Sequence, residues 1–220
     1  MNIINFMKID LHCHTYKTKN RFGSNMTPKN MIKVAKKRNL DGIAITDDDT
    51  LEGYFEMKKN LKGDKDFLLI PGFETQGFEI AEILVLGIDY IPKKKNLMDF
   101  VDEIRDNNGV CILPHPFTFV PTLRYKKTLK ELEIFDGIEV INSFDWGIYT
   151  EFAEKVANVF NLGKTSGSDA HSLRNIGLAY TICEDPIKDI KKRRTKVAGI
   201  ESPWTYKISN LIKFLDNSPV

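Results

Sequence analysis

The chain has four histidines, His12, His14, His115 and His171, and all four fall at or just after the end of a segment that reads as a strand. A lone histidine is more often a surface or core residue than a ligand; four of four at strand ends is a pattern. His12 and His14 are two apart on an extended segment, which points both imidazoles to one side. Paired imidazoles on one face are a standard start to a metal site. Asp169-Ala170-His171 repeats the spacing near the other end of the chain. Asp47, Asp48 and Asp49 are consecutive acids. Such a run suits a solvated loop or a helix N-terminus, but the apolar Gly42–Ile45 run before it brings Asp47 close to the same strand ends. Glu74 follows Pro71-Gly72-Phe73, and a carboxylate there is able to bridge two cations.

The elements that must position these groups alternate between two periods. Short apolar runs at Lys8–Leu11, Ile43–Thr46, Phe67–Ile70, Ile83–Ile88, Val110–Leu113, Ile138–Ile141 and Lys164–Ser168 read as strands, the third stopped by Pro71-Gly72. Between them, Thr27-Pro28 reads as a cap and first-turn proline ahead of a helix burying Met31, Ile32, Val34 and Ala35. Leu51–Leu61, Leu97–Asp106, Leu129–Phe135 and Glu151–Phe160 also have helical character, and Tyr16–Asn25 reads as a loop. This alternation predicts parallel strands with helical crossovers, closed as a barrel or opened as a sheet. In a parallel barrel the C-terminal strand ends share one face, and there His12, His14, Asp47, Glu74, His115, Asp169 and His171 would converge. In the tail, the basic run from Lys188 to Lys196 reads as a solvated helix face, and Ile208–Leu215 as a final helix.

Composition narrows the classes. Thirty-two basic against 30 acidic residues give a net charge of +2, which is no footprint for an extended nucleic-acid surface. Three scattered cysteines, Cys13, Cys111 and Cys183, argue against a disulfide framework and for a reducing compartment. The N-terminal stretch lacks the pattern of a signal peptide, and no run has the length of a membrane span. The expectation is a cytoplasmic protein without a membrane partner; the composition leaves its oligomeric state open.

Six motifs, DLHCHT (Asp10–Thr15), AITDDDTLEG (Ala44–Gly53), IPGFE (Ile70–Glu74), PHP (Pro114–Pro116), IEVIN (Ile138–Asn142) and GSDAH (Gly167–His171), appear in an order that resembles the PHP family. This is the polymerase-and-histidinol-phosphatase superfamily of metal-dependent phosphoesterases, and the resemblance runs from about Lys8 to Thr181. It implies an α/β fold, a distorted (β/α)7 TIM-like barrel over residues 1–184, with residues 185–220 as an extension packed on it. It further implies two or three divalent cations. His12, His14, Glu74 and Asp169 would hold the first, Glu74 and His115 the second, and His171 with the loop after the second strand the third. The chain departs from the pattern at Asp48 and Glu82, which stand where the family has histidine, and Tyr16–Pro28 contains no Asp or His ligand. Carboxylate in place of imidazole favours Mn²⁺ or Mg²⁺ over Zn²⁺ or iron.

The implied activity is phosphoric ester hydrolysis by metal-activated water, on a small phosphorylated metabolite, a nucleotide or a short nucleic-acid end. Asp47 or Asp48 would orient the water or protonate the leaving group, and Arg124, Lys126 and Arg174 would contact phosphate. The rival class is a metal-free PHP scaffold or binding module, which the retained ligand types oppose. A metal-dependent amide hydrolase would usually carry a strand-end lysine, which is missing from the expected place.

Overall fold

The computed structural model describes residues 6–18, 25–62, 64–76, 78, 82–93, 96–117, 131–143 and 147–202. Nine strands are among them: β1 (Met7–Asp10), β2 (Gly42–Ile45), β3 (Leu68–Thr75), β4 (Ile83–Leu86), β5 (Val110–Leu113), β6 (Gly137–Asn142), β7 (Gly163–Gly167), β8 (Ala179–Cys183) and β9 (Lys196–Gly199). They form one sheet in the order β7-β6-β5-β4-β3-β2-β1-β8-β9. The helices are α1 (Pro28–Lys37), α2 (Glu52–Asn60), α3 (Leu97–Asp106), α4 (Gly147–Val159) and α5 (Pro186–Lys191). Thr27 caps α1 by accepting from the Asn30 amide, and Asn96 caps α3 by accepting from Asp99. These caps satisfy amides that have no partner inside the helix.

The sheet curls into a nearly closed barrel. Along β2, β4 and β5 alternate side chains belong to two apolar clusters, as the period of two requires. Ile43 and Ile45 of β2, and Ile83 and Val85 of β4, pack in the cluster that holds Met31, Met57, Phe100 and Ile104 of the helices. Ala44, Leu84 and Leu86 face the other way, with Ile9, Ile70 and Ile112, and fill the barrel interior. Ile187 and Ile190 of α5 join this inner cluster, so α5 plugs the end of the barrel where β5, β6 and β7 begin. At the opposite end, the mouth, the chain beyond β1 pairs in parallel with the chain beyond β7 through Cys13 and Ala170. The His14 amide donates to Ala170 O at 3.1 Å, and the Ala170 amide to His12 O at 3.4 Å.

Four findings depart from the sequence reading. β4 runs antiparallel to both β3 and β5, because the short β3–β4 connection has no room for a crossover helix. β3 continues through Pro71-Gly72 to Thr75. Pro71 lacks an N–H but still accepts from Gly87 N, and Gly72 lets β4 approach: a Cβ there would lie 2.6 Å from Val85 O. The basic run is not one helix face. It spans α5, a turn and β9, with Lys192, Arg193 and Arg194 exposed. β8 and β9 are further strands, antiparallel to β1 and to β8 respectively. Within Leu129–Phe135 the described part is a 3-10 turn at Leu132–Ile134, and Ile208–Leu215 lies outside the described residues. No helix among the described residues is long and apolar enough to cross a membrane.

Candidate metal centre

Each donor reaches the mouth by a different local route. His12 and His14 follow β1, and the parallel pairing of their segment with Ala170 sets Asp169 and His171 beside them. Glu74 lies within β3 and is flanked by the acidic triplet, since its amide donates to Asp47 O and its carbonyl accepts from Asp49 N. Glu82 precedes β4, and because β4 is reversed its start, not its end, is at the mouth. His115 follows β5. Three residues here, Asp49 (φ 50°), His115 (φ 26°) and Asp169 (φ 50°), take left-handed backbone conformations. Residues with a Cβ adopt these at a cost and concentrate them at functional sites.

The donors form an inner group with flanks on either side. His12 Nε2 and His14 Nε2 are 3.1 Å apart. Glu74 Oε2 lies 3.6 Å and 3.4 Å from them, and Asp169 Oδ1 lies 3.6 Å and 3.3 Å from them. Donors bonded at about 2.1 Å to one ion stand about 3.0 Å apart at right angles and about 3.4 Å apart in a tetrahedron, so the two histidines with either carboxylate have the spacing that one small divalent cation needs. Asp169 Oδ1 is buried and makes no hydrogen bond. An ionised oxygen left so is expensive unless something else compensates it, and a cation does. The other oxygen of Glu74 faces away from this group: Oε1 is 3.0 Å from His115 Nε2, which is 3.5 Å from Glu82 Oε2. On the far side the His171 ring stacks on His14 at 4.3 Å, with its Nδ1 3.4 Å from Asp169 Oδ1.

The electrostatics match a centre built for positive charge. Burial alone would raise the Glu74 and Asp169 carboxyls, but His12 and neighbouring imidazoles outweigh it and hold both well below the usual range. Conversely, burial acts to lower the imidazoles, yet Asp169, Glu139 and Glu74 hold His12 well above its ordinary value. His115 is pushed up to about 10, burial being outweighed by Glu74 and Glu82. Protons drawn onto the imidazoles thus occupy a place suited to a cation.

The structure brings His12, His14, Glu74, Glu82, His115, Asp169 and His171 into overlapping groups of close donors. Asp48 sits at the edge, its Oδ1 3.9 Å from His14 Nδ1. Asp47 is fully buried, and both its oxygens are committed to Thr15, to the amide at 2.6 Å and the hydroxyl at 2.7 Å. That makes it an anchor for the chain after His14. Arg174 is exposed on the loop after His171, and its carbonyl accepts from Arg38 Nη2 at 2.7 Å. Arg124 and Lys126 lie outside the described residues.

Two buried acids were not singled out from the sequence. Asp10 accepts from Ser168 N and Oγ and from Gly177 N, stapling β1 to β7. Glu139 reaches toward His12 and His115 from β6. Their signal was an acid within an apolar strand, where an unpaired charge is rare.

Comparison with known proteins bears on the family and the fold. A family model described as PHP-associated matches residues 147–192. An uncharacterized protein of Methanocaldococcus jannaschii is 33% identical over 146 residues, covering 63% of this chain and 83% of the relative. A probable DNA polymerase of Bacillus subtilis is 32% identical over 163 residues, 69% of this chain but 10% of the polymerase. Among solved structures, a two-domain Bacteroides vulgatus protein containing a predicted PHP-like metal-dependent phosphoesterase superposes with a TM-score of 0.71 at 17% identity. It covers 89% of this chain and 65% of that one, a likeness that shows the fold.

Proposed function

The chain belongs to the PHP superfamily, and from that premise we propose that it is a metal-dependent phosphoesterase acting on a phosphomonoester or on a nucleotide or oligonucleotide end. The observation that carries this reading is Glu74, whose two oxygens face two different sets of imidazoles, one at His12 and His14 and the other at His115. A carboxylate so placed suits a two-cation centre. His12, His14, Glu74 and Asp169 would hold one divalent cation and Glu74, His115 and Glu82 a second, with His171 and Asp48 flanking a third position. Cations held there would supply a nucleophilic water near neutral pH and offset charge on the phosphoryl oxygens. Mn²⁺ or Mg²⁺ is proposed ahead of Zn²⁺ or iron, because Glu82 and Asp48 add hard oxygen donors.

The chain's own groups do the rest. Asp48, half-buried at the rim, or Asp47 beside it is proposed to orient the water or to protonate the leaving oxygen. Arg174 is proposed to contact phosphate, and Arg124 and Lys126 remain candidates for the same work. The free, buried thiols of Cys13, Cys111 and Cys183 support a cytoplasmic home. The polymerase relative and the phosphoesterase-like neighbour support a phosphorylated or nucleic-acid substrate. The test is a hydrolysis screen over phosphorylated metabolites and short oligonucleotides with Mn²⁺, Mg²⁺ or Zn²⁺. Turnover that chelator removes and metal restores is the expected result. No turnover on any substrate, from a protein that takes up no metal, would favour the scaffold reading.

A further inference from the structure

We infer that Glu139 is a positioning residue that fixes the tautomer of His12 and ties the two cation groups together; this rests on the proposed metal centre. Glu139 lies on β6, is 2% exposed, and takes no place among the close donor groups. Its two oxygens divide their work. Oε2 accepts from the His115 amide at 2.8 Å and from Asn142 Nδ2 at 2.9 Å. Both donors carry fixed hydrogens, so this oxygen must be an acceptor. Oε1 stands 3.2 Å from His12 Nδ1. A carboxylate there makes Nδ1 the protonated nitrogen of His12, which leaves the Nε2 lone pair free to face His14, Glu74 and Asp169. The same side chain therefore aims His12 in the inner group and holds the left-handed backbone of His115 (φ 26°) in the outer one. Gly167 keeps the approach open: a Cβ there would lie 2.4 Å from His12 Cβ and 2.9 Å from Glu139 Oε1.

A tautomer-setting carboxylate differs from a merely structural one in its response to replacement by an amide. In Glu139→Gln the amide oxygen is best kept toward His115 N and Asn142, because the reverse orientation sets two donors against the amide nitrogen. The amide N–H₂ then faces His12 Nδ1 and requires it to accept. That places the proton on Nε2, where it blocks the cation. Size and most hydrogen bonds are retained, so a structural role alone predicts little change.

The experiment uses zinc, a diamagnetic probe, on the whole chain. Titration of wild-type and Glu139→Gln protein should show binding weaker by about 10- to 100-fold in the variant, the range for loss of a partner behind a ligand histidine. Nitrogen-15 NMR of the zinc-loaded wild type should show His12 protonated at Nδ1 and ligated through Nε2, a readout that stands even if the variant does not fold. Equal zinc affinity in the two proteins, or a wild-type His12 protonated at Nε2, would overturn the inference while leaving the metal centre in place. Failure of the wild type to bind zinc, Mn²⁺ or Mg²⁺ would instead overturn the metal-dependent reading, and this inference with it.

Discussion

The inner donor group and its flanks are built differently. His12 and His14 are fully buried, and their segment is hydrogen-bonded to the chain beyond β7. Each ring has a backing partner, Glu139 for His12 and the Thr18 hydroxyl, 3.2 Å from Nδ1, for His14. The outer side chains are 14% exposed at His115 and His171 and 19% at Glu82, more than His12, His14 and Glu74 but level with Asp169 at 15%, and they stand on loops or just before a strand. Preorganisation by paired backbone and buried partners lowers the cost of binding. The inner group should therefore bind first and tolerate least, while the flanks tune which metal is preferred and how the substrate is handled. Glu74 belongs to both, and the contrast between the regions is sharpest there.

The largest effect should come from that shared residue. Glu74→Gln removes charge from both groups and should lower turnover by about 10³-fold or more, whereas Glu82→Gln, which touches only one flank, should lower it by about 10- to 100-fold. Steady-state kinetics on one model phosphomonoester compares them, and equal losses would erase the distinction. The pH dependence of binding comes next. Ligand imidazoles must lose their protons to bind metal, and here His12, His14 and His115 hold them more tightly than usual. Raised values mean that affinity increases as pH rises. For the His115 side the gain should be about tenfold per unit through one released proton, levelling off near the value of about 10 to which His115 is pushed. The inner group, with two such imidazoles, should release up to about two protons per cation. Calorimetry in buffers of different ionisation enthalpy counts them, and pH-independent binding would contradict the assignment. A smaller effect is expected from Asp48→His with Glu82→His, which should move the activating metal toward Zn²⁺. An unchanged metal ranking would mean that neither side chain reaches a cation.

Much of this was legible in the sequence, because the strand ends and the donors are local features. The i, i+2 pairs at His12 and Asp169, the apolar run before Asp47 and the capped α1 all depend on neighbours along the chain. What escaped depends on contacts between distant segments. Ile83–Leu86 is apolar on both faces and buried throughout, so its composition carries no direction, and its reversal became visible only in the pairing of Glu74 with Leu84. β8 and β9 are missed because each is short, four or five residues, and β9 carries lysine at its start. Glu139 resembles a stray acid in Ile138–Ile141 until β6 is set beside His12. The position of Asp47 near the mouth was foreseeable, but its two hydrogen bonds from Thr15 were not.

The central claim is that Glu74 joins two cation positions. The most direct test is the number of divalent ions per chain, by elemental analysis of wild-type and Glu74→Gln protein loaded with Mn²⁺ and freed of excess metal. At least two ions per wild-type chain and no more than one in the variant are expected, with both proteins folded. An unchanged count in Glu74→Gln would contradict that claim, and would place the cations on the histidines and Asp169 without a shared carboxylate.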